Sequence, residues 1–161
     1  MLDINSPLGQ ESLQQEMKML KYVSKCWDIK IRITKKETPA PYDGIMLKNN
    51  IIIGIFESKN RIMSLESLED FGSWLITFEK LEKCRIIANK MNVPFYGFLG
   101  LELSKLIMYW KISDENGNYL FDFKHFHSAT QATINGGEAY RDNAYLPIEF
   151  GNFVQINQKI F

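Results

Sequence analysis

The spacing of apolar residues changes several times along this chain, and each change marks an expected element. Leu13, Met17, Leu20 and Val23 recur at helical spacing. Ser6-Pro7 ahead of them offers a capping hydroxyl and a proline for the first turn, so a helix is expected through about Lys25. Residues 27–34 switch to a period of two, with Ile29, Ile31 and Ile33 alternating with Asp28, Lys30 and Arg32, the pattern of a half-buried strand. A loop broken by Pro39 and Pro41 follows. Two β-branched runs then flank Asn49-Asn50, residues that tolerate the left-handed backbone of a tight turn, and together read as a β-hairpin. From Ser64 or Ser67 to about Met91 the pattern reads as one long helix, with Leu68, Phe71, Leu75 and Phe78 on one face and Trp74 and Leu81 widening it. Residues 95–101 form an apolar strand, expected parallel to its predecessor because a helix joins them. Residues 106–112 are a further strand, Asn116-Gly117 a hairpin turn, and residues 119–126 its return. Residues 141–147 read as loop, and Ile148, Phe150, Phe153, Val154 and Ile156 as a last strand or short helix. The sum is an α/β class with a mixed sheet.

Charge breaks this pattern at one place. Asp43 opens the hairpin, and Glu57 and Lys59 stand at its end, next to an apolar run. Charged side chains are rarely buried without partners or a task. Glu57 and Lys59, two apart on a strand, share a face. A two-residue Asn49-Asn50 loop with regular pairing would set Asp43 opposite Phe56, on the other face. A three-residue loop, or a bulge at Gly54, shifts the register by one and brings Asp43 onto the face of Glu57. One of these is expected.

Two carboxylates and an ammonium on one face suit a hard cation. Mg²⁺ takes a few carboxylate oxygens and fills its remaining positions with water and phosphate oxygens, and Lys59 beside it would hold the attacking water or offset phosphate charge. Asp43, Glu57 and Lys59, with the lead-in Pro41-Tyr42-Asp43, resemble the Asp…(Asp/Glu)-x-Lys signature of the PD-(D/E)xK nuclease superfamily. The resemblance implies a restriction-endonuclease-like αβββαβ core, about residues 10–112, with extra C-terminal strands. It implies a Mg²⁺-dependent nuclease, Mn²⁺ substituting, in which Asp43 and Glu57 bind the metal, the Ser58 carbonyl adds a ligand and Lys59 positions water. An acid on the first helix often completes such sites, and Glu16 is the candidate here; a glutamate at the edge of the apolar stripe reaching water is the alternative. Lys35, Lys36 and Arg61 are the candidate substrate-binding residues. Lys80, Lys83, Arg85 and Lys90 either complement the dipole of their helix or form a DNA-facing strip. A solvated salt bridge at the hairpin end is the plain alternative to a catalytic site.

Composition narrows the setting. At 161 residues, with 45% hydrophobic and 13% aromatic residues, one domain spanning 1–161 is expected, residues 113–161 packing on the core as an extension. No apolar run approaches the ~20 residues of a membrane span, and the first residues carry no signal-peptide pattern. Cys26 and Cys84 make no disulfide framework and fit a reducing cytoplasm. A formal net charge of zero points to a local basic strip or a second partner rather than a broad DNA-binding surface. His125 and His127 are too few for a zinc site. No Gly-rich phosphate loop and no Ser or Cys nucleophile motif is present. Two functions remain: a nuclease acting on DNA, as a homodimer if it cuts both strands, or a non-catalytic module on the same fold that binds nucleic acid or protein.

Overall fold

The computed structural model describes residues 6–34, 41–132 and 138–154. Helix α1 (Pro7–Trp27) starts where Ser6 Oγ accepts the Gly9 N–H at 3.0 Å and ends at Asp28, in the left-handed region at φ 51°. Strands β1 (Lys30–Ile33), β2 (Gly44–Lys48) and β3 (Ile51–Arg61) form an antiparallel meander. Next come α2 (Leu65–Phe71), β4 (Ser73–Thr77), α3 (Phe78–Lys90), β5 (Phe95–Leu101) and β6 (Leu106–Ser113). Strands β7 (Lys124–Ala132), β8 (Glu138–Pro147) and the short β9 (Asn152–Phe153) complete the chain.

The main sheet has the order β1-β2-β3-β5-β6-β9, with β5 parallel to β3 and the other pairs antiparallel. It is mixed, as expected for this α/β chain. Its helix, three strands, helix and strand recur in the expected order, with α2 and β4 added before α3. One face carries Met46, Phe56, Phe98 and Ile107, packed under Met19, Leu20 and Val23 of α1. The other carries Ile55, Leu99, Trp110 and Ile112, covered by Leu81, Cys84 and Ala88 of α3. A second sheet, β4-β8-β7, closes on that same face through Trp74, Ile76, Ala144 and Leu146. Gly97 makes this closure possible: a Cβ there would lie 2.6 Å from the Trp74 ring.

Three expectations are corrected. The long helix is three elements, because Gly72 takes φ 89° and caps α2, and Ser73-Trp74-Leu75-Ile76-Thr77 then pairs as a strand with β8. β-Branched and aromatic residues alternating inward and outward favour that strand over a helix. After the turn, in which the Asp114 carboxylate accepts the N–H groups of Asn116 and Asn118, the return is a single bridge between Ser113 and Tyr119. Strand β7 begins only at Lys124 and joins the second sheet. Residues 141–147, read as loop, belong to β8, the centre of that sheet. The tail forms both a 3-10 turn (Ile148–Phe150) and β9; Ile156 lies outside the described residues. Among the described residues no helix is long and apolar enough to cross a membrane.

Candidate active site

The hairpin register decides where Asp43 points. Asn49 and Asn50 both adopt positive φ (52° and 63°) and close a two-residue loop between the paired Lys48 and Ile51. Pairing then shifts: Leu47 faces Ile52, but Met46 faces Gly54, so Ile53 is the extra residue of a bulge. Beyond it Gly44 faces Phe56, which places Asp43 beside Glu57. The expected one-residue shift is therefore present, next to Gly54. Gly44 permits the close approach here, since a Cβ would lie 2.5 Å from the Phe56 ring and 2.7 Å from the Arg32 carbonyl.

The segment carrying Asp43 is held from several sides. Thr34 Oγ1 donates to the carbonyls of Tyr42 and Asp43, each at 2.9 Å. The Cys84 thiol donates to the Pro41 carbonyl at 3.0 Å, tying the lead-in to α3. The Asp43 N–H donates to the Phe56 carbonyl, and the Ser58 N–H donates to Asp43 Oδ2, both at 2.9 Å. N–H and carbonyl of one strand residue point to the same edge, so the Ser58 carbonyl also faces the Asp43 side.

Asp43 and Glu57 are both buried, Glu57 to 2% exposure. Among the described residues, two lysines face them. Lys59 Nζ lies 4.0 Å from Glu57 Oε1, and its side chain is 43% exposed. Lys80, from the first turn of α3, lies 2.6 Å from Glu57 Oε2 and 3.6 Å from Asp43 Oδ1, bridging the two acids. Burial pushes the Glu57 carboxyl up to about 7; Asp43 adds to the rise, and Lys80 and Lys59 oppose it. Burial alone would lower the Lys80 pKa, but Glu57 and Asp43 raise it above its ordinary value, so the ammonium stays charged. Burial also pushes the Cys84 thiol up, with Glu57 contributing, which keeps it protonated and inert as a nucleophile.

The other expected site residues are placed differently. Alternation along β3 turns Ser58 to the face opposite Glu57, where its hydroxyl donates to Glu16 Oε1 of α1 at 2.7 Å. Glu16 thus braces β3 from behind and does not join the pair of acids; among the described residues no three Asp, Glu, His or Cys side chains gather as a metal-ligating group. Arg61 continues the Glu57 face at the end of β3. Burial lowers its pKa, and Glu16 and Glu57 counter that effect, so it lies within the field of both acids. Lys35 and Lys36 lie outside the described residues. Three of the four basic residues of α3 are engaged separately: Lys80 turns inward, Lys83 pairs with Glu79 at 2.8 Å, and Arg85 binds Glu82 at 2.9 Å and the Gly117 carbonyl, while Lys90 is exposed. His125 binds Asp142 at 3.1 Å and stacks on Phe78.

Lys80 is the residue that sequence reasoning missed as a partner of the acids. With residues 64–91 read as one helix, it falls in mid-helix among other basic residues. Once β4 is recognised, it becomes the third residue of α3, near the positive end of the helix dipole, where an ammonium is unfavourable unless an acid faces it. That is a usable signal, but only after the strand has been found.

Asp43 and Glu57 fit a hard divalent cation by donor chemistry. Both offer carboxylate oxygens, both are desolvated, and a cationic group already bridges them. Comparison with family models, with curated proteins and with solved structures gave no match.

Proposed function

We propose that this chain is a divalent-cation-dependent phosphodiesterase that hydrolyses nucleic acid, with DNA as its substrate and endonucleolytic cutting as its mode. The observation that carries the reading is the pair of buried acids Asp43 and Glu57, placed side by side by the bulged hairpin, with the exposed Lys59 at their rim. The resemblance of Asp43…Glu57-x-Lys59 to the PD-(D/E)xK signature supports it, as does the parallel β5 beside β3. Asp43, Glu57 and the Ser58 carbonyl would hold Mg²⁺ or Mn²⁺, which supplies a lowered pKa for bound water and charge stabilisation at the phosphate. Lys59, on the solvent side of Glu57, holds the attacking water and offsets charge on the phosphate as water enters in line with the departing oxygen. Ser58, through its N–H, keeps the Asp43 carboxylate in place, and Glu16 holds Ser58. A single site cuts one strand, so double-strand cleavage requires a second copy.

The test is cleavage of supercoiled plasmid and labelled linear DNA with Mg²⁺ or Mn²⁺ against EDTA. Metal-dependent cutting by the wild type, lost in Glu57→Ala and in Lys59→Ala with unchanged circular dichroism, is the expected result. Full activity in both variants overturns the reading.

One observation favours a second reading. Lys80 already bridges the acids, so the cluster also suits a non-catalytic module in which the charges only hold α3 to the hairpin. A folded protein that cuts no substrate, and whose DNA affinity falls steeply with salt, would be such a module for nucleic acid. Salt-insensitive binding to a protein would make it a protein-binding one.

A further inference from the structure

We infer that Lys80 is an exchangeable counter-ion: it holds the place of the divalent cation between Asp43 and Glu57 and leaves when the cation enters. The inference rests on the reading of these two acids as cation ligands.

Its basis is the position of one atom. Lys80 Nζ stands 2.6 Å from Glu57 Oε2 and 3.6 Å from Asp43 Oδ1, in contact range of both acids at once. Mg²⁺ binds carboxylate oxygens at about 2.1 Å and demands near-octahedral geometry. An ammonium in contact with the same oxygens occupies the volume those ligand positions need, so the two cations exclude each other. Lys59 does not compete in this way: its nitrogen is 4.0 Å from Glu57 Oε1, on the exposed rim.

The surroundings make exchange feasible. Two desolvated carboxylates side by side repel, so the apo protein needs a positive charge between them. Lysine supplies it on a flexible four-carbon stem with a point charge, which an arginine fork would hold more rigidly. The Lys80 side chain is 32% exposed, so a path to solvent exists. Once a divalent cation has neutralised the acids, Lys80 is left at the positive end of the α3 dipole without a counter-charge. Turning outward relieves that position and adds a second ammonium beside Lys59, where an anionic substrate would meet it.

The inference separates Lys80 from a permanent structural ion pair, and cation binding by the 161-residue chain tests it without reference to cleavage. Free Mn²⁺ is followed by electron paramagnetic resonance during titration of wild type, Lys80→Gln and Asp43→Asn, each first checked for folding by circular dichroism. The expected result is Mn²⁺ binding about tenfold or more tighter in Lys80→Gln than in wild type, with loss of binding in Asp43→Asn. Binding by Lys80→Gln alone also supports the inference. Equal or weaker binding by Lys80→Gln, or binding that survives Asp43→Asn, overturns it. If neither wild type nor Lys80→Gln binds Mn²⁺, the inference and the cation reading fall together. If tightening is seen but no DNA or RNA is cut, the nuclease reading falls and the exchange stands. Should Lys80→Gln fail to fold, the wild type is acetylated with and without Mn²⁺ and mapped by mass spectrometry. Lys80 labelling should then rise several-fold relative to the exposed Lys48; an unchanged rate at saturating Mn²⁺ overturns the inference.

Discussion

The tip and the middle of β3 invert the usual relation between polarity and burial. At the hairpin tip, Ile51, Ile52 and Ile53 are 66%, 36% and 36% exposed. Farther along, within the buried stretch 54–58, Glu57 is 2% exposed and Ser58 is fully buried. Both stretches belong to the same extended strand, separated only by the bulge at Ile53, so secondary structure does not explain the difference. What differs is the cover: α1 and α3 lie over the middle of the strand, while the tip projects beyond both. The two exceptions also differ in energy. An isoleucine left in water forgoes burial worth roughly 2 kcal/mol, whereas an ionised carboxylate taken out of water costs several kcal/mol unless cations face it. The tip needs no special account. The buried acid does, and Lys80 and Lys59 supply it.

The comparison is broken most severely through activity. Glu57→Ala should lower DNA cleavage by at least about a hundredfold, the scale of losing one group that stabilises developing charge, while Ile52→Ser at the tip should cut at the wild-type rate. Plasmid nicking assays on both variants check this, and a similar loss in both would remove the distinction between the tip and the middle.

Stability comes next. Ile55→Ala, in the covered middle, should cost about 3 kcal/mol because it leaves a cavity between β3 and α3. Ile52→Ala, at the tip, should cost less than about 1 kcal/mol. Urea denaturation of the two variants measures the difference.

The pH dependence of stability gives a sharper version. Glu57 titrates at about 7 in the folded chain against an ordinary 4.5, so folding favours its protonated form. That contribution is fully present below pH 4.5 and is lost as pH rises through 7; at about 1.4 kcal/mol per pH unit it amounts to roughly 3 kcal/mol. Glu57→Gln cannot ionise, so its stability relative to wild type should rise between pH 5 and pH 8. Mg²⁺ should restore the wild type in the upper part of that range. Thermal melts of both proteins from pH 5 to 8, with and without Mg²⁺, test both statements, and parallel profiles would show that Glu57 does not titrate there.

The smallest effect concerns the brace behind the site. Ser58→Ala removes the hydroxyl that Glu16 accepts from but keeps the N–H to Asp43. Loss of one hydrogen bond to a charged group should cost about 2 kcal/mol or less, and cleavage should fall far less than in Glu57→Ala. A Ser58→Ala variant as inactive as Glu57→Ala would place Ser58 in the chemistry.

Much of the site could be read from neighbouring residues, because it depends on them. The Glu57-x-Lys59 spacing sets a shared face on any strand, and the need for a register shift followed from Asp43 being on the wrong face in a regular hairpin. Either a three-residue loop or a bulge at Gly54 is expected from the sequence; the loop has two residues, and the bulge is centred on Ile53, one residue from Gly54. Glu16, the candidate to complete the metal site or else a stripe-edge glutamate reaching water, accepts the Ser58 hydroxyl, on the face turned away from Glu57. Residues 73–77 misled because Trp74, Leu75 and Phe78 also satisfy a helical spacing. The residue that settles the matter, Gly72, was one glycine inside an otherwise continuous pattern.

From sequence alone came α1 with its cap, the hairpin, the mixed α/β class and the acid-x-lysine face. Each rests on capping, side-chain alternation or turn preference within a few positions. Tertiary structure alone decided that residues 73–77 form a strand, since that strand exists by pairing with β8, far along the chain. It also decided that Lys80, rather than Glu16, meets Asp43 and Glu57. The physical reason is the same in both cases. A sheet pairing and a buried ion pair draw their stability from segments distant in sequence, and no local period records which segments those are.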